Sequence, residues 1–98
     1  MATFVILIKL TDQGAVDVKD APERMRQAFE SMTALGATVK DFYVTMGEYD
    51  YVGIGEGPDD ETAMAACAAL AASGNVRTTS MRAFSPQEFG AIVARLAR

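Results

Sequence analysis

Residues 41–57 read DFYVTMGEYDYVGIGEG, two strand-like runs joined across Gly47-Glu48, and their reading decides the fold. A Gly-X pair between such runs is the signature of a two-residue type II′ hairpin turn, whose first position needs positive φ and therefore glycine. That turn sets Met46 opposite Tyr49, Thr45 opposite Asp50, Val44 opposite Tyr51 and Phe42 opposite Gly53. One face of the hairpin then carries Phe42, Val44, Met46, Tyr49 and Tyr51. The other carries Val39, Tyr43, Val52 and Ile54, with Asp41 and Asp50. A sheet packed on one side only shows one polar face. Neither face here is polar, so each requires a cover.

Outward from the hairpin, Thr3–Leu10 (TFVILIKL) is apolar on both parities apart from Lys9, as a central strand buried on two faces should be. Thr11–Val18 reads as a polar connection with Asp12-Gln13-Gly14 as turn formers. Asp20-Ala21-Pro22-Glu23 reads as a helix start, an Asp-x-x-Glu variant of the capping box, and Gly36 as the stop. Met25, Ala28, Phe29, Met32 and Leu35 keep helical spacing; core filling is the commoner role for the two methionines, a ligand groove the rarer one.

Beyond the hairpin, Gly57-Pro58 breaks the strand and Asp59-Asp60-Glu61 opens an alanine-rich helix, its acids complementing the helix dipole rather than spacing out as a cation loop. Cys67 sits mid-helix among alanines and reads as an inert thiol. Residues 76–84 (VRTTSMRAF) suit an edge strand. Ser85-Pro86-Gln87-Glu88 is a capping box opening a last helix, with Phe89, Ile92, Val93 and Leu96 as its apolar stripe and Arg95 and Arg98 suited to its C-terminus.

The element order is β-α-β-β-α-β plus a terminal helix: an α+β, ferredoxin-like arrangement with a four-stranded antiparallel sheet of order 4-1-3-2, as one domain over residues 1–98. Right-handed crossovers place both helices on one face and leave the other uncovered. An uncovered apolar face of that size marks an interface, and a homodimer through the open sheet is the simplest cover; the terminal helix folding across part of it is the alternative. The topology also gathers Thr11, Gln13, Thr45, Tyr49, Asp50 and Arg77 at one rim, where a small-molecule ligand would find polar contacts. Two readings of that rim stay open. Asp50 acts as a base or ligand anchor beside Tyr49, or it caps loop amides or pairs with Arg77.

The string FYVTMGEYDYV, with Gly47, Tyr49 and Asp50 as fixed points, resembles the namesake motif of the GYD domain family. The similarity continues through LTDQG, KDAPERM and GNVRTTSMRAFS, in order along nearly the whole chain. The resemblance implies a small bacterial or archaeal domain of ferredoxin-like fold, with no established biochemical activity.

Composition narrows the functional classes. Histidine is absent and cysteine single, which removes the usual ligands of zinc, copper and haem and the commonest general base, so no metal and no cofactor are expected. A net charge of −4 argues against nucleic acid and anionic membranes as partners. No leader is legible in the first residues, and with a lone Cys the expected location is the cytoplasm. What remains is a small oligomeric domain that binds a small molecule or serves a regulatory or assembly role without catalysis. The alternative is a metal-free enzyme of the dimeric α-β barrel kind, an oxygenase or isomerase using Asp50 and a Tyr for proton transfer.

Overall fold

The computed structural model describes residues 1–96, so the Arg98 assigned to the last helix end lies outside the described residues. Strands β1 (Ala2–Leu10), β2 (Thr38–Val44), β3 (Tyr51–Gly57) and β4 (Val76–Ala83) form one antiparallel sheet in the order β2-β3-β1-β4. This is the expected 4-1-3-2 order read from the other edge, with the two most continuously apolar strands in the middle.

Strand parity divides the residues between two faces. Ala2, Phe4, Ile8 and Tyr51 are buried beneath helices α2 (Ala21–Ala34) and α3 (Asp60–Ala72), together with Ala21, Met32 and Ala66 from the helices themselves. Phe42 joins the layers: its ring lies 5.0 Å from Phe29 of α2, edge-on, and 5.5 Å from Tyr51. Gly53 of β3 lies beneath the Phe42 ring and Gly55 beneath the Ile6 side chain, where an added Cβ would come 3.4 Å from the ring and 3.8 Å from Ile6. On the opposite face Val5, Leu7, Val52, Ile54, Tyr43 and Met81 have no helix over them, and Tyr43 is 62% exposed.

The hairpin register holds where it was set by the turn: Val44 pairs with Tyr51, Tyr43 with Val52, Phe42 with Gly53. Farther out it shifts. A bulge at Lys40, between Val39 and Asp41, makes Val39 pair with Gly55 and turns it to the helix-covered side, away from Tyr43. The turn itself is wider than two residues. Gly47 has the required positive φ of 111°, but the loop is closed by the Thr45 amide donating to the Asp50 carbonyl at 2.8 Å, and Met46 stands 97% exposed at its tip.

Helix ends follow local chemistry where it is local. Ser85 and Glu88 make the reciprocal capping box at the start of α4 (Pro86–Val93), which runs into a 3-10 turn over Ala94–Leu96. Asp59 caps α3 by accepting from the Thr62 amide and hydroxyl. The Thr62 hydroxyl chiefly holds the Asp59 carboxyl below its ordinary pKa, and the Ser85 amide does the same for Glu88. A folded-state pKa lowered in this way adds stability above the ordinary carboxylate range that is lost as pH falls through the folded value. Both helix starts therefore weaken in acid. Gly36, at φ 96°, ends α2 in a Schellman motif, with Ala37 donating to Met32 and Gly36 to Thr33.

The capping box expected at Asp20 is not made. A 3-10 turn (Val18–Asp20) leads straight into α2, leaving Asp20 at φ −91°, ψ 2° rather than in the extended geometry from which a side chain reaches back. Glu23 turns to Arg26 and Gln27 instead. The stretch read as a polar connection also contains a short helix, α1 (Asp12–Val16), capped by the Thr11 hydroxyl.

Candidate functional site

The rim is built around the last residues of β1. Two successive amides there are claimed from opposite sides. The Leu10 amide donates to the Asp50 carboxylate at 2.7 Å, on the hairpin side, and the Thr11 amide donates to the Asn75 carbonyl at 2.9 Å, on the β4 side. An antiparallel strand alternates its hydrogen bonds between its two neighbours, which is why consecutive amides can serve both. Asp50 also donates its own amide to the Ile8 carbonyl at 2.9 Å. Its side chain thus supplies an acceptor to the strand end just beyond the point where β1–β3 pairing stops.

Thr11 is equally committed. Its hydroxyl donates to the Gly74 carbonyl at 2.6 Å while accepting from the Gly14 amide, and Gln13 donates to the Asn75 side chain at 3.2 Å. Gly14 is buried against this turn so closely that a Cβ there would lie 2.2 Å from the Asn75 carbonyl oxygen. Thr45 closes the hairpin loop by donating its hydroxyl to the Tyr49 carbonyl at 2.6 Å. Arg77 stands opposite Lys9 on the uncovered face, and its guanidinium donates to the neighbouring Val76 carbonyl at 2.9 Å.

The structure therefore brings Thr11 and Gln13 together at the turn before β4, and Thr45, Tyr49 and Asp50 in the loop before β3, with the end of β1 between the two groups. Each of these contacts has a backbone atom, or a neighbour holding the same turn, as its partner. The arrangement fastens three chain segments.

A separate concavity opens beneath the helices, which the linear sequence pointed to only through Met25 and Met32. It has a volume of about 280 Å³ between α2, α3 and the sheet, walled by apolar side chains including Ile8, Met25, Phe29, Leu70 and Val76. Arg24 is the charged residue of its lining, and its guanidinium donates to the Asp17 and Gly14 carbonyls at 2.8 and 3.0 Å. Arg24 and Gly14 are the rim residues that sequence reading passed over; the DQG string that placed Gly14 in a turn was its only signal. Cys67 is half-buried on α3, its sulfur 2.9 Å from the Ser80 hydroxyl. Among the described residues no three His, Cys, Asp or Glu side chains converge as a metal site would require, and no helix is long and apolar enough to cross a membrane.

Sheet order, helix placement and the glycine-led hairpin define a small ferredoxin-like α+β domain with one sheet face uncovered. The GYD domain pattern matches residues 4–93, and the chain belongs to that family. A curated relative, the glutamine synthetase and cystathionine beta-lyase binding protein of Thermus thermophilus, is 33% identical over 97 residues, which cover 98% of this chain and 99% of the relative. The crystal structure of TTHA0845, also from Thermus thermophilus, is similar with a TM-score of 0.55 at 24% identity, covering 87% of this chain and 95% of that one. The crystal structure of FFRP-DM1 is similar with a TM-score of 0.58 at 23% identity, covering 86% and 100%. At these identities both structures speak to the fold alone.

Proposed function

We propose that this chain is a small non-catalytic binding protein that acts as a homodimer and engages other proteins. The uncovered sheet face carries the reading: six apolar side chains from all four strands share it, with charges only at its margins. Acidic Asp41 and Glu56 lie on the β2–β3 half and basic Lys9 and Arg77 on the β1–β4 half. A two-fold axis through such a face can set unlike halves against each other, so the surface complements its own copy. The relative named for binding two enzymes supports protein binding as the activity of this chain also.

Leu7 stands at the centre of the face, between Val52 and Thr79. Sedimentation at micromolar concentration should show a dimer, and Leu7→Glu should weaken it by about thirtyfold or more, since losing a central anchor costs about 2 kcal/mol or more and every ~1.4 kcal/mol is tenfold. A monomeric wild type would remove the assembly reading. Titration against glutamine synthetase and cystathionine β-lyase from the source organism tests the other half; no association with either removes those partners.

The cavity beneath the helices favours a second reading, a small-molecule site within the same binding protein. Its walls are apolar and its one cation, Arg24, has only carbonyl partners, so the fitting ligand is a small apolar carboxylate. Calorimetry with octanoate should detect binding that Ala66→Leu, which fills the floor, abolishes and Arg24→Met weakens by about tenfold, the scale of one charge-assisted hydrogen bond. Equal heats for all three proteins would count against it.

A further inference from the structure

Helix α4 is the part of the molecule that its own chain does not explain. It opens with the only reciprocal capping box among the described residues, yet none of its residues is buried, and Phe89, Val93 and Leu96 remain 59%, 42% and 81% exposed. The molecule measures 56 × 30 × 18 Å, far longer than a body of four strands and two helices requires. The helix stands off as an arm. Isolated helices shorter than about 12–15 residues are marginal in water, whatever their caps, and gain their stability from packing an apolar face. Residues 86–96 therefore need a surface to lie on.

We propose that this surface belongs to a second copy of the chain: each protomer lays the Phe89, Ile92, Val93 and Leu96 stripe of α4 onto its partner, so that the dimer is closed by two exchanged arms as well as by the sheets. The inference rests on the sheet-face dimer above and adds what that dimer lacks. Four strands at about 4.8 Å spacing, with about seven residues each at about 3.3 Å rise, present roughly 440 Å² of face. A stable interface uses about 800 Å² per partner. An arm about 16 Å long and about 10 Å across covers roughly 160 Å². Under a two-fold axis every copy contributes that area once as the arm and once as its seat, so the exchange enlarges the contact by well over half of what the sheet face alone presents. The junction suits a fixed exit angle: the Arg82 guanidinium stacks 4.5 Å from the centre of the Phe84 ring, immediately before the Ser85 cap.

The test compares dimer dissociation constants, by sedimentation, for the wild type, for Phe89→Glu with Ile92→Glu, and for Leu7→Glu. The arm variant should dissociate at least about tenfold more readily, at an unchanged urea midpoint of the dissociated protomer, because the stripe packs on nothing buried in its own chain. Amide exchange in residues 89–94 should be slow in the wild-type dimer and fast in Leu7→Glu. An arm variant that dimerises like the wild type overturns the exchange and leaves the sheet dimer standing, with α4 given over to another protein or to solvent. A Leu7→Glu dimer of full strength beside a dissociated arm variant removes the sheet contact and keeps the arm. A monomeric wild type removes both.

Discussion

Gly14→Ala should lower the melting temperature more than any other single methyl addition to this chain. Its Cβ would lie 2.2 Å from the Asn75 carbonyl oxygen, and the atom it meets is backbone. A flexible side chain could move aside; the Asn75 carbonyl is held by the Thr11 amide at 2.9 Å and has nowhere to go without breaking that bond. Arg24 adds to the constraint by donating to the Gly14 carbonyl from the other direction. Overpacking of this kind costs about 3 kcal/mol. For a domain of this size that is a fall of roughly 12–24 °C in the melting temperature. Calorimetry that finds less than a few degrees would mean α1 swings freely at the rim. Gly47→Ala is the instructive comparison, since nothing lies within 4 Å of the added atom there and only the 111° φ resists it.

The second large effect is expected at Asp50. Its carboxylate accepts the Leu10 amide at 2.7 Å in a half-buried position, and hydrogen bonds to charged groups contribute about 1.5–3 kcal/mol. Asp50→Ala should cost that amount in denaturant melts, because the amide at the strand end is left without its acceptor. Asp50→Asn keeps an acceptor oxygen and should recover most of the loss. A role in proton transfer or ligand anchoring gives the opposite pattern: stability unchanged or raised on substitution, as happens when a residue is kept for function at the expense of stability. The two melts together decide between the two readings of the rim.

The features legible in the sequence are those whose cause is local. Ser85 and Glu88 lie three residues apart and satisfy each other, so the string alone announces the helix start. Gly47 and the alternating residues beside it set the pairing of Val44 with Tyr51 and of Phe42 with Gly53. Sheet order followed from the element sequence, whose ferredoxin-like arrangement puts the two most continuously apolar runs in the middle. The remaining features depend on distant partners. Thr11 caps a helix because Gly74 and Asn75, more than sixty residues later, close over it. The shift at Lys40 carries no glycine and no proline to mark it. Asp20 had the right residue type for a cap and the wrong backbone angles, which a sequence does not display. At the rim, topology brought Thr11 and Gln13 to one turn and Thr45, Tyr49 and Asp50 to one loop, with Arg77 apart from both, while the atom each one contacts is a matter of fractions of an ångström. The cavity under the helices is a property of how far α2 and α3 stand apart, and no residue pattern encodes that spacing.

The bulge at Lys40 also governs how copies of this chain can meet. An outer strand with regular, unpaired amides invites another strand to continue the ribbon, and repeated addition has no natural end. Here β2 is interrupted midway, and an exposed lysine stands at the interruption with its ammonium 3.5 Å from Glu56. On the opposite margin β4 carries Arg77 and Arg82, so two such margins brought side by side would crowd like charges. Growth along the sheet is obstructed at both borders. In the dimer proposed above, contact therefore falls to the flat of the sheet and to the exchanged arms, an arrangement that closes on one partner copy where a ribbon would extend.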